Sequence, residues 1–290
     1  MTAGTLRERF FSGEPVLTSE LVPPRGADAA SVRANVESLA FADAINITDL
    51  PQARTRMSAL ATAALVVQAG GRPILQMTTR DRNRLALAAD AIGAGALGVE
   101  AILPLFGDPV PEGVEAVEVR DVDSAGLVAL LAELGHGRTP DGLLLDGPAP
   151  HFLIGAAATP GRTTLEGLSE KIDAGAAFVQ TQMVLDAEAF AAWLEPIREA
   201  GLCERAAFLP GLVIPRTVKL VERLYGFGAL VADDVIPRVE LGEALPVACE
   251  IAEKLLAIPG VAGLHLMPLG ASPEAINELA AHARRTHVPS

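Results

Sequence analysis

The chain has 290 residues, half of them apolar and 20% charged, which excludes a disordered or low-complexity protein and suffices for a large core. Its 36 acidic residues against 23 basic ones leave a net charge of −13, so a phosphate backbone is repelled and nucleic acid is excluded as a partner. An anionic small ligand is not excluded, because a few arginines suffice for a local positive pocket, with Arg25, Arg80, Arg82 and Arg84 as candidates.

Val16–Leu21 reads as the first strand, closed by Pro23-Pro24. Helix signals run from about Asp28 to Phe41, with Val32, Val36 and Leu39 at helical spacing. Ala44–Thr48 is the expected second strand. A helix from about Thr55 to Gln68 should follow, with Met57, Leu60, Ala61, Ala64 and Leu65 on one face and Gly70 at its end. Pro73–Thr78 reads as the third strand. Asp81 is placed to cap a helix to about Ala94, with Leu85, Ala88 and Ile92 inward. Gly98–Leu105 is the expected fourth strand, followed by Phe106-Gly107-Asp108-Pro109 and an irregular stretch to Asp123, where the next helix starts.

His151–Ala156 reads as the fifth strand, and Thr163-Thr164-Leu165-Glu166 has the form of a capping box. Phe178–Gln182 is the expected sixth, after which Asp186 caps a helix carrying Phe190, Trp193, Leu194 and Ile197. Ala206–Gly211 is the expected seventh, with a helix near Arg216–Leu224. The stretch Val231–Glu240 fits neither period, and a helix covers about Glu243–Ala257. Val261–Met267 is the expected eighth strand, and Ser272-Pro273 opens the last helix.

Continuous apolar runs alternating with amphipathic helices suit a parallel sheet buried on both faces. Eight such runs favour closure over an open doubly wound sheet, and Glu20-Leu21-Val22-Pro23-Pro24-Arg25 cannot serve as a glycine-rich dinucleotide loop. The expected fold is therefore one α/β domain over residues 1–290, a (β/α)8 TIM barrel. Cys203 and Cys249 form no metal or redox motif and read as two reduced, mostly buried thiols. Met1 to Phe10 lacks the apolar stretch of a signal peptide, and no apolar run approaches the ~20 residues of a membrane span. The expected location is cytoplasmic, with no membrane partner. Exposed apolar helix faces on a barrel leave room for homo-oligomer pairing.

Polar residues gather at the expected strand ends: Glu20, then Asn46, Thr48 and Asp49, then Gln76, Thr78 and Thr79, then Asp108, then Gln180, Thr181 and Gln182. In a barrel those ends share one face, where substrates bind. Glu20 is the sharpest candidate, because a carboxylic acid shielded by apolar neighbours can act as a general acid; the plainer reading is a solvated acid before the Pro-Pro turn. Asp108 sits in a Gly-Asp-Pro sequence that turn chemistry alone favours. Gln182 is suited to reading an amide-like ring edge, or to tying a loop. Lys171 falls mid-helix, where a solvated lysine is the plainer reading. His265 lies between apolar residues and carries no assigned role. No metal spacing occurs.

Several of these segments, taken in order, resemble the methylenetetrahydrofolate reductase family, particularly its short bacterial branch. They are Ser19-Glu20-Leu21-Val22-Pro23-Pro24-Arg25, Asn46-Ile47-Thr48-Asp49, Thr79-Arg80-Asp81-Arg82-Asn83-Arg84, Gly107-Asp108, Lys171-Ile172-Asp173-Ala174-Gly175-Ala176, Thr181-Gln182 and Gly263-Leu264-His265-Leu266-Met267. The resemblance implies a flavin, FAD or FMN, at the strand ends. It implies reduction of 5,10-methylenetetrahydrofolate to 5-methyltetrahydrofolate by hydride transfer, with NAD(P)H or an electron-transfer protein as donor. It makes Glu20 the general acid and sets Asp108 near the flavin and folate rings. Gln182 would contact substrate, and Thr48, Gln76, Gly107, Asp108 and Lys171 would contact the flavin.

The chain departs from the family at Leu21 and Val22, where phenylalanines are usual, and at Phe106, where arginine is usual. Gly155-Ala156-Ala157-Ala158-Thr159-Pro160 replaces a Tyr-Pro-Glu segment, and Thr164 stands where an acid is expected. Two further readings therefore stay open: a flavin-independent, tetrahydrofolate-dependent methyltransferase or demethylase, and a non-catalytic folate-binding subunit.

Overall fold

The computed structural model describes residues 4–286. Among the described residues nine strands form: β1 (Val16–Leu21), β2 (Ala44–Ile47), β3 (Pro73–Thr78), β4 (Ala101–Leu105), β5 (Leu153–Ala158), β6 (Phe178–Leu185), β7 (Ala207–Leu212), β8 (Leu230–Val231) and β9 (Gly263–Leu266). All but β8 pair in parallel around a ring. β1 to β7 run in sequence order, and β9 closes the ring between β7 and β1. This is the expected (β/α)8 barrel. The two-residue β8 extends the end of β6 outside the ring.

Helix α1 (Leu6–Phe10) precedes the barrel. Helices α2 (Ala29–Ser38), α3 (Ala59–Gln68), α4 (Arg84–Ala96), α5 (Ser124–Gly135), α6 (Leu165–Asp173) and α7 (Ala187–Glu199) follow β1 to β6. Then α8 (Val218–Gly226), α9 (Val235–Glu240) and α10 (Ala244–Leu256) lie between β7 and β9, and α11 (Pro273–Thr286) ends the described chain. The stretch that fitted no period is thus β8 plus the short α9. Among the described residues no helix is long and apolar enough to cross a membrane.

Side-chain caps set most of the helix starts. Asp28, Ser58, Asp123 and Asp186 each accept a backbone N–H of the first turn. Three expectations need correction. Asn83, not Asp81, caps α4, because Asp81 is taken by Arg80. Thr164 caps α6 from one residue further along than a box opening at Thr163 requires, so the residue three on is Gly167 and no reciprocal glutamate bond forms. The inward faces of α3 and α4 are rotated from those expected. Ala59, Thr62, Ala63 and Val66 face the sheet in α3, and Leu87, Ala88, Ala91 and Ala94 in α4. Leu85 and Ile92 are 56% and 37% exposed. Small residues take the sheet-facing positions, which lets the helices approach closely. The larger Leu60 is left half-buried, with its Cδ2 beside Gly93 of α4.

The core has two compartments. The larger one lies between the sheet and the helices. The smaller fills the barrel interior with Val16, Ala44, Ile74, Leu103, Leu153, Phe178 and Leu209, and α1 inserts Leu6 and Phe10 beneath it. Phe10 meets Phe178 edge-on, with ring centroids 5.3 Å apart. Gly155 makes room for that ring: a Cβ there would lie 2.3 Å from Phe178. Arg9 fastens α1 to the barrel through Asp43 at 2.8 Å, and Asp43 also accepts the Leu17 N–H. Cys203 and Cys249 are half-buried rather than mostly buried, and burial still pushes the Cys203 thiol up to about 11, which keeps it unreactive at neutral pH.

Truncating Phe10 opens a cavity at the closed end of the barrel. Phe10→Ala is expected to cost about 3–5 kcal/mol of stability. The neighbouring Phe11→Ala, at an exposed position, should stay within about 0.5 kcal/mol. Urea unfolding of the two variants checks this, and equal losses would show that α1 is no plug.

Candidate active site

At the C-terminal ends of the strands the barrel opens into a cavity of about 630 Å³. Its wall contains Glu20 from β1, Thr48 and Asp49 after β2, and Gln76 and Thr78 from β3. Gly107 and Asp108 after β4 and Gln180, Thr181 and Gln182 from β6 also contribute. Residues distant in the chain are thus gathered on one surface by the common direction of parallel strands.

A buried polar layer forms the cavity floor. Asn46 and Gln180 exchange amide hydrogen bonds of 2.6 and 3.1 Å. Gln180 Nε2 also donates to Thr18 Oγ1 at 2.9 Å, and Thr18 Oγ1 lies 2.9 Å from His265 Nδ1. Thr18 is opposite His265 in the β1–β9 register. Because Gln180 occupies the acceptor side of the Thr18 hydroxyl, that hydroxyl donates to Nδ1, and the imidazole hydrogen is assigned to Nε2. Nε2 stands 3.5 Å from Glu20 Oε1. Gln76 Nε2 approaches the same oxygen at 3.5 Å. Glu20 keeps 19% side-chain exposure and faces the cavity.

Asp49 lines the same wall but is consumed by structure. Its Oδ2 accepts from Thr78 N and Oγ1 at 2.9 and 3.0 Å and pairs with Arg82. Asp108 Oδ2 accepts the Gln52 N–H at 2.6 Å, and its carbonyl accepts from the buried Arg80 at 3.0 Å. Gln182 reaches the mouth because the β6–β7 register shifts between Gln180 and Met183. That irregularity lets the consecutive Thr181 and Gln182 both face the cavity.

Two groups of expected residues lie off the cavity wall or are already paired. Lys171 is not on the cavity wall: it is half-buried, and its ammonium donates to the Ala157 carbonyl at 3.2 Å. Burial lowers its pKa, with Asp123 opposing. Nor do Arg80, Arg82 and Arg84 form a positive pocket, since they pair with Asp81, with Asp49 and Asp90, and with Asp121. Of the four expected arginines only Arg25 lines the cavity, joined by Arg54 and Arg56, which sequence reading passed over. Asn46 and Gln180, expected at the substrate-binding strand ends, satisfy each other. The irregular stretch after β4 folds back over it. Arg120 stacks on the Phe106 ring at 3.8 Å and donates to the Phe106 carbonyl at 2.9 Å.

The contrast between the two acids can be measured. Asp49→Ala removes one of the two carboxylates on the partly buried Arg82 and the acceptor of the buried Thr78 N–H and hydroxyl, so it should cost about 2–3 kcal/mol. Glu20→Ala loses only contacts at the outer limit of hydrogen bonding and should cost less than about 1 kcal/mol. Chemical denaturation tests the order, and a larger loss at Glu20 would make that acid structural.

The sequence profile of the methylenetetrahydrofolate reductase family matches residues 5–281. No curated protein matches the chain. Among solved structures, an uncharacterized protein from Clostridium thermocellum that binds two copies of 5-methyl-5,6,7,8-tetrahydrofolic acid aligns with a TM-score of 0.63 at 15% identity, over 97% of this chain and 98% of that one. The EDTA monooxygenase of Chelativorans sp. BNC1 aligns with 0.56 at 13% identity, over 96% and 95%. Tryptophan synthase from M. tuberculosis aligns with 0.55 at 14% identity, over 97% and 100%. At such identities these likenesses concern the fold alone. The profile match, by contrast, spans nearly the whole sequence, and the chain belongs to the methylenetetrahydrofolate reductase family.

Proposed function

We propose that the cavity binds a reduced folate and that the protein reduces 5,10-methylenetetrahydrofolate to 5-methyltetrahydrofolate, with Glu20 as general acid. The observation that carries this reading is the placement of Glu20 on the cavity floor between His265 and Gln76, with Asp108 and Gln182 around the same space. The folate-binding solved structure and the family support the substrate class.

Opening the methylene bridge requires a proton on the departing amine nitrogen, and Glu20 is the cavity acid placed to give it. The Nε2–H of His265 points at Glu20 Oε1, so it orients the carboxyl and stabilises the carboxylate left after transfer. Asp108, held by the Gln52 N–H, sets a negative charge beside the ring where the iminium cation develops. Gln182 offers both a donor and an acceptor to a pterin edge.

The wall also fits a flavin ring in part. Thr48 Oγ1 is buried with no partner, and Gln76, Gly107 and Asp108 lie on the same wall. These four residues would hold the ring, without Lys171. When bound, FAD or FMN would carry hydride from NAD(P)H or an electron-transfer protein to the one-carbon unit. Two observations favour a second reading, flavin-independent methyl transfer on folate: Lys171 stands off the wall, and Phe106 is covered by Arg120.

Glu20→Gln should lower folate-dependent turnover by about 10²–10⁴-fold, while affinity for 5-methyltetrahydrofolate stays within a few fold. Steady-state assays with NAD(P)H and with an artificial electron donor read this out. Undiminished turnover would remove Glu20 from the chemistry. Separately, the purified protein incubated with FAD or FMN should turn yellow and stay so through gel filtration. A colourless protein that still binds tetrahydrofolate would transfer the assignment to the second reading.

A further inference from the structure

The protein's net charge of −13 repels anions in general. Yet three arginines stand together on one side of the cavity mouth: Arg25 after β1, and Arg54 and Arg56 after β2. Among the described residues none of them forms an ion pair, whereas Arg80, Arg82, Arg84 and Arg120 each hold a carboxylate. The arrangement is built rather than incidental. The Met57 N–H donates to the Pro24 carbonyl at 2.8 Å, and Arg56 Nη1 donates to the Pro23 carbonyl at 3.0 Å, which clamps the two loops together. Arg56 Nε is buried there with no partner at all. Leu50, Gln52 and Ala53 hold left-handed φ of 46°, 56° and 50° without being glycine. Such backbone persists only where its surroundings over-determine it, and it clusters at ligand clamps. Arg25 and Arg54 also line an adjoining depression of about 510 Å³ with Ala53, Thr55 and Val114.

We infer that this rim is an anion-binding subsite, which takes the carboxylate or phosphate tail of the ligand whose ring lies on the cavity floor. On the cavity wall Asp49 is neutralised by Arg82, and Asp108, exposed at the mouth, is held by the Gln52 N–H, so among the described residues the three rim arginines are the cations left free for a ligand. An anionic tail is therefore attracted to the rim, which sets the orientation in which the ligand enters. Arginine suits the task because its planar fork binds carboxylate and phosphate with two donors. A folate's glutamate and a flavin nucleotide's phosphate share this chemistry. The folate case rests on the function proposed above; the subsite does not.

The test uses Arg25→Gln/Arg54→Gln in the full chain and two ligand pairs that differ in tail charge. The first pair is 5-methyltetrahydropteroate, which lacks the glutamate, and 5-methyltetrahydrofolate, and the second is riboflavin and FMN. Titration calorimetry at low salt should show the variant losing about tenfold or more in affinity for the more anionic member of one pair. The less anionic member should hold within about twofold, and the wild-type preference should shrink as salt is raised. The responding pair identifies the tail. A wild-type protein that binds neither folate refutes the folate reading, and the flavin pair still tests the rim. Equal loss for both members of each pair, no loss in either, or no binding of any of the four ligands overturns the subsite.

Discussion

At Gly263 an added Cβ would lie 2.0 Å from the carbonyl oxygen of Val16, so the last strand reaches the first only because that position has no side chain. Everything at the cavity end of the barrel depends on this closure. Pairing of β9 with β1 sets Thr18 opposite His265 and brings the histidine to within 3.5 Å of Glu20, although 245 positions separate His265 from Glu20 in numbering. An open sheet of the same strands would leave β1 and β9 at opposite edges. The acid would then have no orienting partner, and the buried amides beneath it would have no third wall.

The polar residues inside the barrel divide by whether their demands are met within the protein. Asn46, Gln180, Thr18 and Asp49 are satisfied by each other, by Arg82 or by backbone. They form a rigid floor, because an amide buried in low dielectric is costly to unpair. Thr48 Oγ1 and Arg56 Nε are buried without a partner, and Glu20 has only long contacts. All three residues line the cavity. Stability and chemistry thus occupy successive layers of one barrel, separated by roughly two residues along β1, from Thr18 to Glu20.

Charge is distributed by the same logic. The three arginines that follow β3 are locked to aspartates, so they stiffen loops rather than attract ligands. Arg120 takes over the surface of Phe106, the position where the family usually has an arginine, but it comes from the irregular segment after β4. The substitution at 106 therefore leaves a cation nearby while covering the ring with it.

Sequence periodicity by itself determined the barrel. Continuous apolar runs and interleaved helices have few other solutions, and parallel strands place Glu20, Asp108 and Gln182 at one end whatever the details. The position of His265 was also implicit, since closure makes the first and last strands neighbours; the isolated histidine simply carried no local motif to draw attention to it. Tertiary structure alone decided the rest. The inward faces of α3 and α4 turned on caps two or three residues from those expected and on which small residues meet the sheet. The fates of Lys171, Arg80, Arg82 and Arg84 depended on which carbonyl or carboxylate each long side chain meets in space. Spacing along the chain fixes the direction of a Cα–Cβ bond, but the reach and partner of a lysine or arginine are settled only by the neighbours that folding supplies.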